Sequence, residues 1–261
     1  MKKIIAISAL TFTLFGCGVE KPQETGKPST PNIQNAANIP STANANQAAN
    51  NASQLPKESE KIEQPLEANF KDGVPKGWEM LDPEKVNPSG FETTDGVLKL
   101  RIPSGKDLYG ENMTAPRFLK FVKGDFEIET RVKFSPTQDY QGAGILIFRN
   151  DNNYLRLERA FGGIGGGESG IRFDKREDET YEPVAMQDKF PTTAREVDLK
   201  FRRVGKEFTA FWREAGKIDW LEVGKVTNNY PETVQIGLIG VSMADEITAE
   251  FIYIKLQPAA K

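Results

Sequence analysis

Residues 125–134 read DFEIETRVKF, and this run decides the fold. Phe126, Ile128, Thr130, Val132 and Phe134 occupy every second position, with Asp125, Glu127, Glu129, Arg131 and Lys133 between them. A period of two places the first set on one face of a β-strand and the charged set on the other. A helix would scatter the same charges around its whole circumference and leave no face to bury.

The pattern recurs in both directions. VLKLRI (Val97–Ile102) precedes it. AGILIF (residues 143–148) is apolar at consecutive positions, which predicts a central strand covered on both faces. Asn150, Asp151, Asn152 and Asn153 form a turn, and YLRLERAF (residues 154–161) follows. Further strands are expected over residues 170–173, 197–204, 207–213, 218–223, 234–242 and 248–256, each parted by Gly or a polar turn. Strands at this spacing, with no helical segment, predict an all-β unit: a jelly-roll sandwich of two antiparallel sheets over residues 66–257.

Upstream of this unit the composition changes. Hydrophobic residues are 38% of the chain, below the usual ~45–50%, so part of the chain stays outside the core. Residues 17–65 account for the shortfall. Pro22, Pro28, Pro31, Pro40, Pro56 and Pro65 interrupt them, and residues 35–53 are nearly all Asn, Ala, Gln, Ser and Thr. Such a segment buries too little apolar surface to offset its ordering entropy and reads as a disordered linker. At ~48 residues its coil reach is roughly 35–40 Å.

Residues 1–17 read MKKIIAISALTFTLFGC. Lys2 and Lys3 precede an apolar stretch of about a dozen residues, too short to span a bilayer of ~30 Å. Leu14, Gly16 and Cys17 resemble a bacterial lipobox, with Phe15 bulkier than the usual residue there. The resemblance implies a lipoprotein signal peptide over residues 1–16, cleavage before Cys17, and acylation of Cys17 as a membrane anchor. Several acyl chains give stable anchoring where one does not. The expected location is therefore the cell envelope, on the outer membrane in a Gram-negative host, with the domain in the periplasm or outside the cell. The lipid bilayer is the first expected partner.

Composition also excludes chemistries. The chain has no His, which removes Ser-His-Asp triads and His-based zinc sites. Its single Cys leaves no intramolecular disulfide and no Cys-cluster metal site. The net charge of −3 argues against nucleic acid as a partner.

Three long segments carry a family resemblance. They are residues 105–134, residues 141–158 (QGAGILIFRNDNNYLRLE) and residues 195–220 (REVDLKFRRVGKEFTAFWREAGKIDW). Their shared features are Ala115-Pro116 before Gly124-Asp125-Phe126, the Gly142-x-Gly144 strand, Asn153-Tyr154 opening the next strand, and a late Lys217–Trp220 hairpin end. Together they resemble the concanavalin A-like family that includes the regulation-of-enolase type proteins of unknown function. They are also similar to laminin-G-like, xylosidase-appended and family-16 glucanase sandwiches. The likeness covers residues 70–256 and implies a jelly roll, a fold that carries lectins, hydrolases, lyases and inert spacers alike.

The family-16 pattern of carboxylates starts at Glu196 and Asp198 but meets Lys200 and Phe201 where its acid belongs. An ammonium cannot replace that proton donor. Glu127 and Glu129 are a second carboxylate pair, on one strand face with Cα atoms about 6.6 Å apart. Asp125, Arg131 and Lys133 share that face, so an exposed charge-laced strand is the plainer account. Gly165, Gly167 and Gly170 match a dinucleotide fingerprint, yet a strand, not a helix, is expected next. Asp151 among its asparagines is oxygen-rich, which leaves a structural calcium open beside the simple turn. No other cofactor is implied.

The remaining candidate is a ligand face. If Leu155 and Leu157 point to the core, then Tyr154, Arg156 and Glu158 share the opposite face. Arg149 is expected across the turn, with Arg172 and Trp212 joining. Rings and charged hydrogen-bonding groups suit a carbohydrate. The competing reading is a cross-strand Arg–Glu ladder with Trp212 in the core. The leading expectation is a lipid-tethered, non-catalytic module that binds glycan or another surface polymer. The alternatives are a polysaccharide hydrolase or lyase and a protein-binding envelope module.

Overall fold

The computed structural model describes residues 59–163 and 168–259. Residues 1–16, expected to be a signal peptide, Cys17 and most of the expected linker lie outside the described residues. In chain order the strands are β1 (Glu60–Lys61), β2 (Leu66–Ala68), β3 (Glu79–Leu81), β4 (Gly90–Thr94), β5 (Val97–Ile102), β6 (Arg117–Lys123), β7 (Phe126–Lys133) and β8 (Gln141–Asn150). Then follow β9 (Asn153–Phe161), β10 (Ser169–Glu177), β11 (Thr180–Ala185), β12 (Glu196–Val204), β13 (Glu207–Glu214), β14 (Leu221–Thr227), β15 (Thr233–Ser242) and β16 (Ile247–Gln257). No helix occurs among the described residues.

These strands form two sheets. The first runs β1-β6-β15-β8-β9-β10-β11, with β3 also on β6. The second runs β14-β13-β12-β7-β16-β5-β4, with β2 on β16. All pairs are antiparallel except β1 on β6. The all-β sandwich expected from the alternation is the observed fold.

In β7, Phe126, Ile128 and Val132 are buried in the inter-sheet core, while the charged positions between them are partly exposed. Thr130 shares the inner face, and its hydroxyl donates to the Tyr253 carbonyl at 2.7 Å. That carbonyl adjoins an irregularity in the β16–β7 register between Phe251 and Tyr253. The polar group is satisfied, so the apolar face tolerates it. The apolar run in β8 lies between β15 and β9, covered on both faces as expected.

Some strands escaped the sequence pattern. β11 contains Pro183, which has no N–H for a ladder; it is tolerated because β11 is an edge strand. β14 starts at Leu221 rather than at Ile218, whose side chain is exposed. β1 and the buried Ile62 lie N-terminal to Leu66. Trp78 stacks on Phe118 of β6 with centroids 5.3 Å apart, and Phe70 and Phe91 pack beside it. This aromatic group packs where β4 of the second sheet, through Phe91, meets β6 of the first, through Phe118.

Candidate functional site

The outer face of the first sheet is built by alternation. On β9, Leu155 and Leu157 enter the inter-sheet core, so Tyr154, Arg156 and Glu158 point outward. On β10, Ile171 and Phe173 point inward, and Arg172, Asp174 and Arg176 outward. The register sets Arg172 opposite Glu158, Asp174 opposite Arg156, and Arg176 opposite Tyr154. Acid and base therefore alternate both along and across the strands.

The side chains meet as a network. Arg172 Nη2 donates to Glu158 Oε2 at 2.6 Å. Arg156 donates through Nε and Nη2 to the two Asp174 oxygens at 3.2 and 3.1 Å. Arg156 Nε lies 3.3 Å from Glu158, and Arg172 Nε 3.3 Å from Asp174. Both acids are fully buried and both arginines nearly so. Burial alone would lower the Arg156 guanidinium, but the charges of Asp174 and Glu158 outweigh it and hold it above its ordinary range. Gly142 on β8 makes room: a Cβ there would sit 2.9 Å from the Glu158 carboxylate.

A loop between β5 and β6 covers part of this face. Lys106 and Ser242 exchange backbone hydrogen bonds of 2.9 and 2.8 Å, fixing the loop to the end of β15. Leu108 and Ala115 pack on Leu119, Leu146, Phe148, Tyr154, Ile239 and Val241 in a second apolar cluster. The Tyr154 hydroxyl donates to the Leu108 carbonyl. Burial pushes that phenol up to about 12, so it stays protonated as a donor. Arg176 Nη1 donates to the Gly110 carbonyl at 3.2 Å, and Arg117 Nη2 to the Met113 carbonyl at 2.9 Å.

Between the loop and the sheet lies a cavity of about 410 Å³. Arg156 and Arg172 reach it from the sheet, and Asp107 from the loop. Tyr109, Tyr140 and Tyr181 supply rings, and Val241 and Met243 an apolar wall. Tyr109 and Tyr181 meet edge to face, with centroids 5.5 Å apart. The size and lining are those of a small-ligand site. Arg156 Nη1, Arg172 Nε and Glu158 Oε1 are buried without a hydrogen-bond partner.

The structure thus brings Arg156 and Arg172 together at the cavity, with Glu158 beneath them and Tyr154 holding the loop. Two residues expected on this face are elsewhere. Trp212 lies in the inter-sheet core, because it alternates with Phe208 and Ala210 on β13 of the other sheet. Arg149 is exposed at the end of β8, where the register with β9 shifts between Phe148 and Asn150. Sequence reasoning missed Asp107, Tyr109, Tyr140, Tyr181 and Asp174. Only Asp174 had a signal, its alternation with Arg172 and Arg176. The tyrosines sit in loops or on the Pro-containing edge strand, where periodicity is silent.

The other candidates resolve into local structure. Glu127 Oε2 accepts from Gln257 Nε2 at 2.8 Å, and Glu129 Oε1 from the Tyr253 hydroxyl at 2.6 Å. Both acids lie on the outer face of the second sheet, opposite Arg202 and Lys200, and neither lines the cavity. Gly165 and Gly167 lie outside the described residues, and β10 follows where a nucleotide site needs a helix. At the Asn150–Asn153 turn, Asn150 Oδ1 accepts from the Asn152 N–H and from Asn153 Nδ2, each at 3.0 Å. Asp151 Oδ1 accepts from Arg117 at 3.1 Å. Among the described residues, no group of three or more His, Cys, Asp or Glu is placed to hold a metal ion.

Asp198, from the broken carboxylate motif, is a structural acid. It accepts from Arg131 at 2.7 and 3.2 Å and from Arg213 at 2.8 Å. Burial opposes its charge, but the hydrogen bonds and charges of the two arginines prevail and hold the carboxyl below its ordinary range. A depressed folded value stabilises above the unfolded value near ~4 and is lost as pH falls through the folded value. Asp198→Asn should therefore cost about 1.5–3 kcal/mol at pH 7. In urea denaturation, the gap to the parent should close on acidification below about pH 4.

Comparisons with known proteins agree with this architecture. The family model described as the beta xylosidase C-terminal concanavalin A-like domain matches residues 77–243. Among solved structures, the xyloglucan PUL GH43B protein of Bacteroides ovatus is similar, with a TM-score of 0.61 and 16% identity over 79% of this chain and 42% of that one. The xylan beta-1,4-xylosidase of Bacillus halodurans C-125 gives 0.59 and 16%, over 78% and 41%. A functionally unknown protein from Saccharomyces cerevisiae gives 0.59 and 13%, over 71% and 98%. At these identities the likeness shows the fold alone. The match spans about two fifths of the two bacterial proteins' length. No curated protein matches the chain.

Proposed function

We propose that this chain, which belongs to the beta xylosidase C-terminal concanavalin A-like domain family, is a lipid-tethered, non-catalytic module that binds a saccharide of a surface polymer in the cavity beside β9 and β10. The observation that carries this reading is the lining: three tyrosines and an apolar wall around two buried arginines and one carboxylate. Rings pack against the C–H faces of a sugar, and the polar groups meet its hydroxyls. Two of the bacterial structures it resembles are named for xylan and xyloglucan, which favours these two polysaccharides as the first ligands to try. The lipobox at Leu14–Cys17 and the linker after it supply the tether. Anchoring raises the effective concentration of such a module at the envelope. Asp107 is the one carboxylate lining the cavity among the described residues, whereas a glycosidase requires two flanking the scissile bond.

The test is a screen of the full chain on a polysaccharide array, with released reducing ends and unsaturated products assayed in parallel. Saturable binding without turnover is expected. Turnover at the bound polymer overturns the non-catalytic reading. Tyr109 is 42% exposed and contributes little to the core. Tyr109→Ala should therefore weaken binding about tenfold or more by loss of ring contact, with the thermal midpoint held within a few degrees.

A further inference from the structure

We propose, resting on the saccharide reading of this cleft, that the site takes an uncharged sugar and discriminates against uronate and other anionic glycans. The charges around the cavity are already matched. The two arginines that line it, Arg156 and Arg172, face Glu158, Asp174 and Asp107, Arg176 beside them donates to the Gly110 carbonyl, and no lysine lines the cavity. A ligand carboxylate would find no unmatched cation among the lining residues. Exposed acids also neighbour the lining residues in sequence: Asp139 precedes Tyr140, Glu111 lies two residues beyond Tyr109, and Asp245 two beyond Met243.

The polar atoms left without a partner ask for a hydroxyl. Arg156 Nη1 has no hydrogen-bond partner, and Asp107 Oδ1 stands 3.6 Å from it, too far for a direct bond. A hydroxyl between them accepts from the guanidinium and donates to the carboxylate, completing both. A carboxylate ligand has no proton to donate and would set its charge against Asp107. A neutral ring therefore completes the site, whereas an anionic one opposes it.

The experiment titrates the full chain in detergent by calorimetry at pH 7. The neutral probes are xylohexaose, cellohexaose and mannohexaose; the anionic probe is an oligogalacturonate of the same length. At least one neutral probe should bind about tenfold or more tighter than the oligogalacturonate. Asp107→Asn keeps an acceptor for the Leu108 N–H, a bond of 2.7 Å in the parent, and removes the charge. It should narrow that preference several-fold by raising affinity for the anion. Oligogalacturonate binding as tightly as the neutral probes overturns the inference and leaves the saccharide reading standing. A preference unchanged in Asp107→Asn overturns the role given to that carboxylate. Absence of binding to both classes removes the saccharide reading and this inference with it.

Discussion

Asp174→Ala is expected to lower folding stability by about 3–5 kcal/mol. Asp174 is fully buried on β10 and holds Arg156 through two hydrogen bonds. It also lies 3.3 Å from Arg172 Nε. Its removal leaves two buried guanidinium groups with Glu158 as their one fully buried acid, Asp107 standing 3.6 Å from Arg156 at the cavity. The cost is that of an uncompensated buried charge, which exceeds the net worth of the intact pair. The contrast is Lys225 with Glu207, an exposed pair at 3.7 Å. Breaking an exposed pair of that kind costs under about 1 kcal/mol. Guanidinium denaturation of Asp174→Ala reads the effect directly. A loss below about 1 kcal/mol would mean that water or a rearranged partner already compensates these arginines.

Gly237→Ala is expected to be as damaging, for a steric reason. Gly237 lies in β15, between β6 and β8, opposite Leu119 and Leu146. A Cβ built there stands 1.9 Å from the Phe118 carbonyl oxygen. That oxygen belongs to the backbone, so relief requires moving a strand and not turning a side chain. The expected result is a loss of about 4 kcal/mol or more, or failure to accumulate as folded protein. A variant with the parent's unfolding midpoint would contradict the close approach of β15 and β6.

The two sheets were legible because the core strands alternate cleanly. DFEIETRVKF and VLKLRI show one apolar face each, and AGILIF shows its central position through two. The short strands before β5 gave no comparable signal, since two to five residues cannot establish a period. Half of the cleft was legible by the same logic, because Tyr154, Arg156, Glu158 and Arg172 lie on regular strands. The rings that wall it were not. Tyr109 and Tyr140 stand in connections, and Tyr140 has a φ of 63°, outside any strand geometry. Trp212 was drawn to the ligand face by its residue type, whereas its alternation with Phe208 and Ala210 already placed it inside. Residue type argued against position there, and position decided.

A structure determined with the tightest-binding oligosaccharide of the array shows most directly where a sugar sits. One ring is expected in the cavity beside Tyr109 and Tyr181, with a hydroxyl within hydrogen-bond distance of Arg156 Nη1. A sugar bound elsewhere, for example against Trp220 on the outer face of the second sheet, with the cavity free of ligand, would contradict that placement.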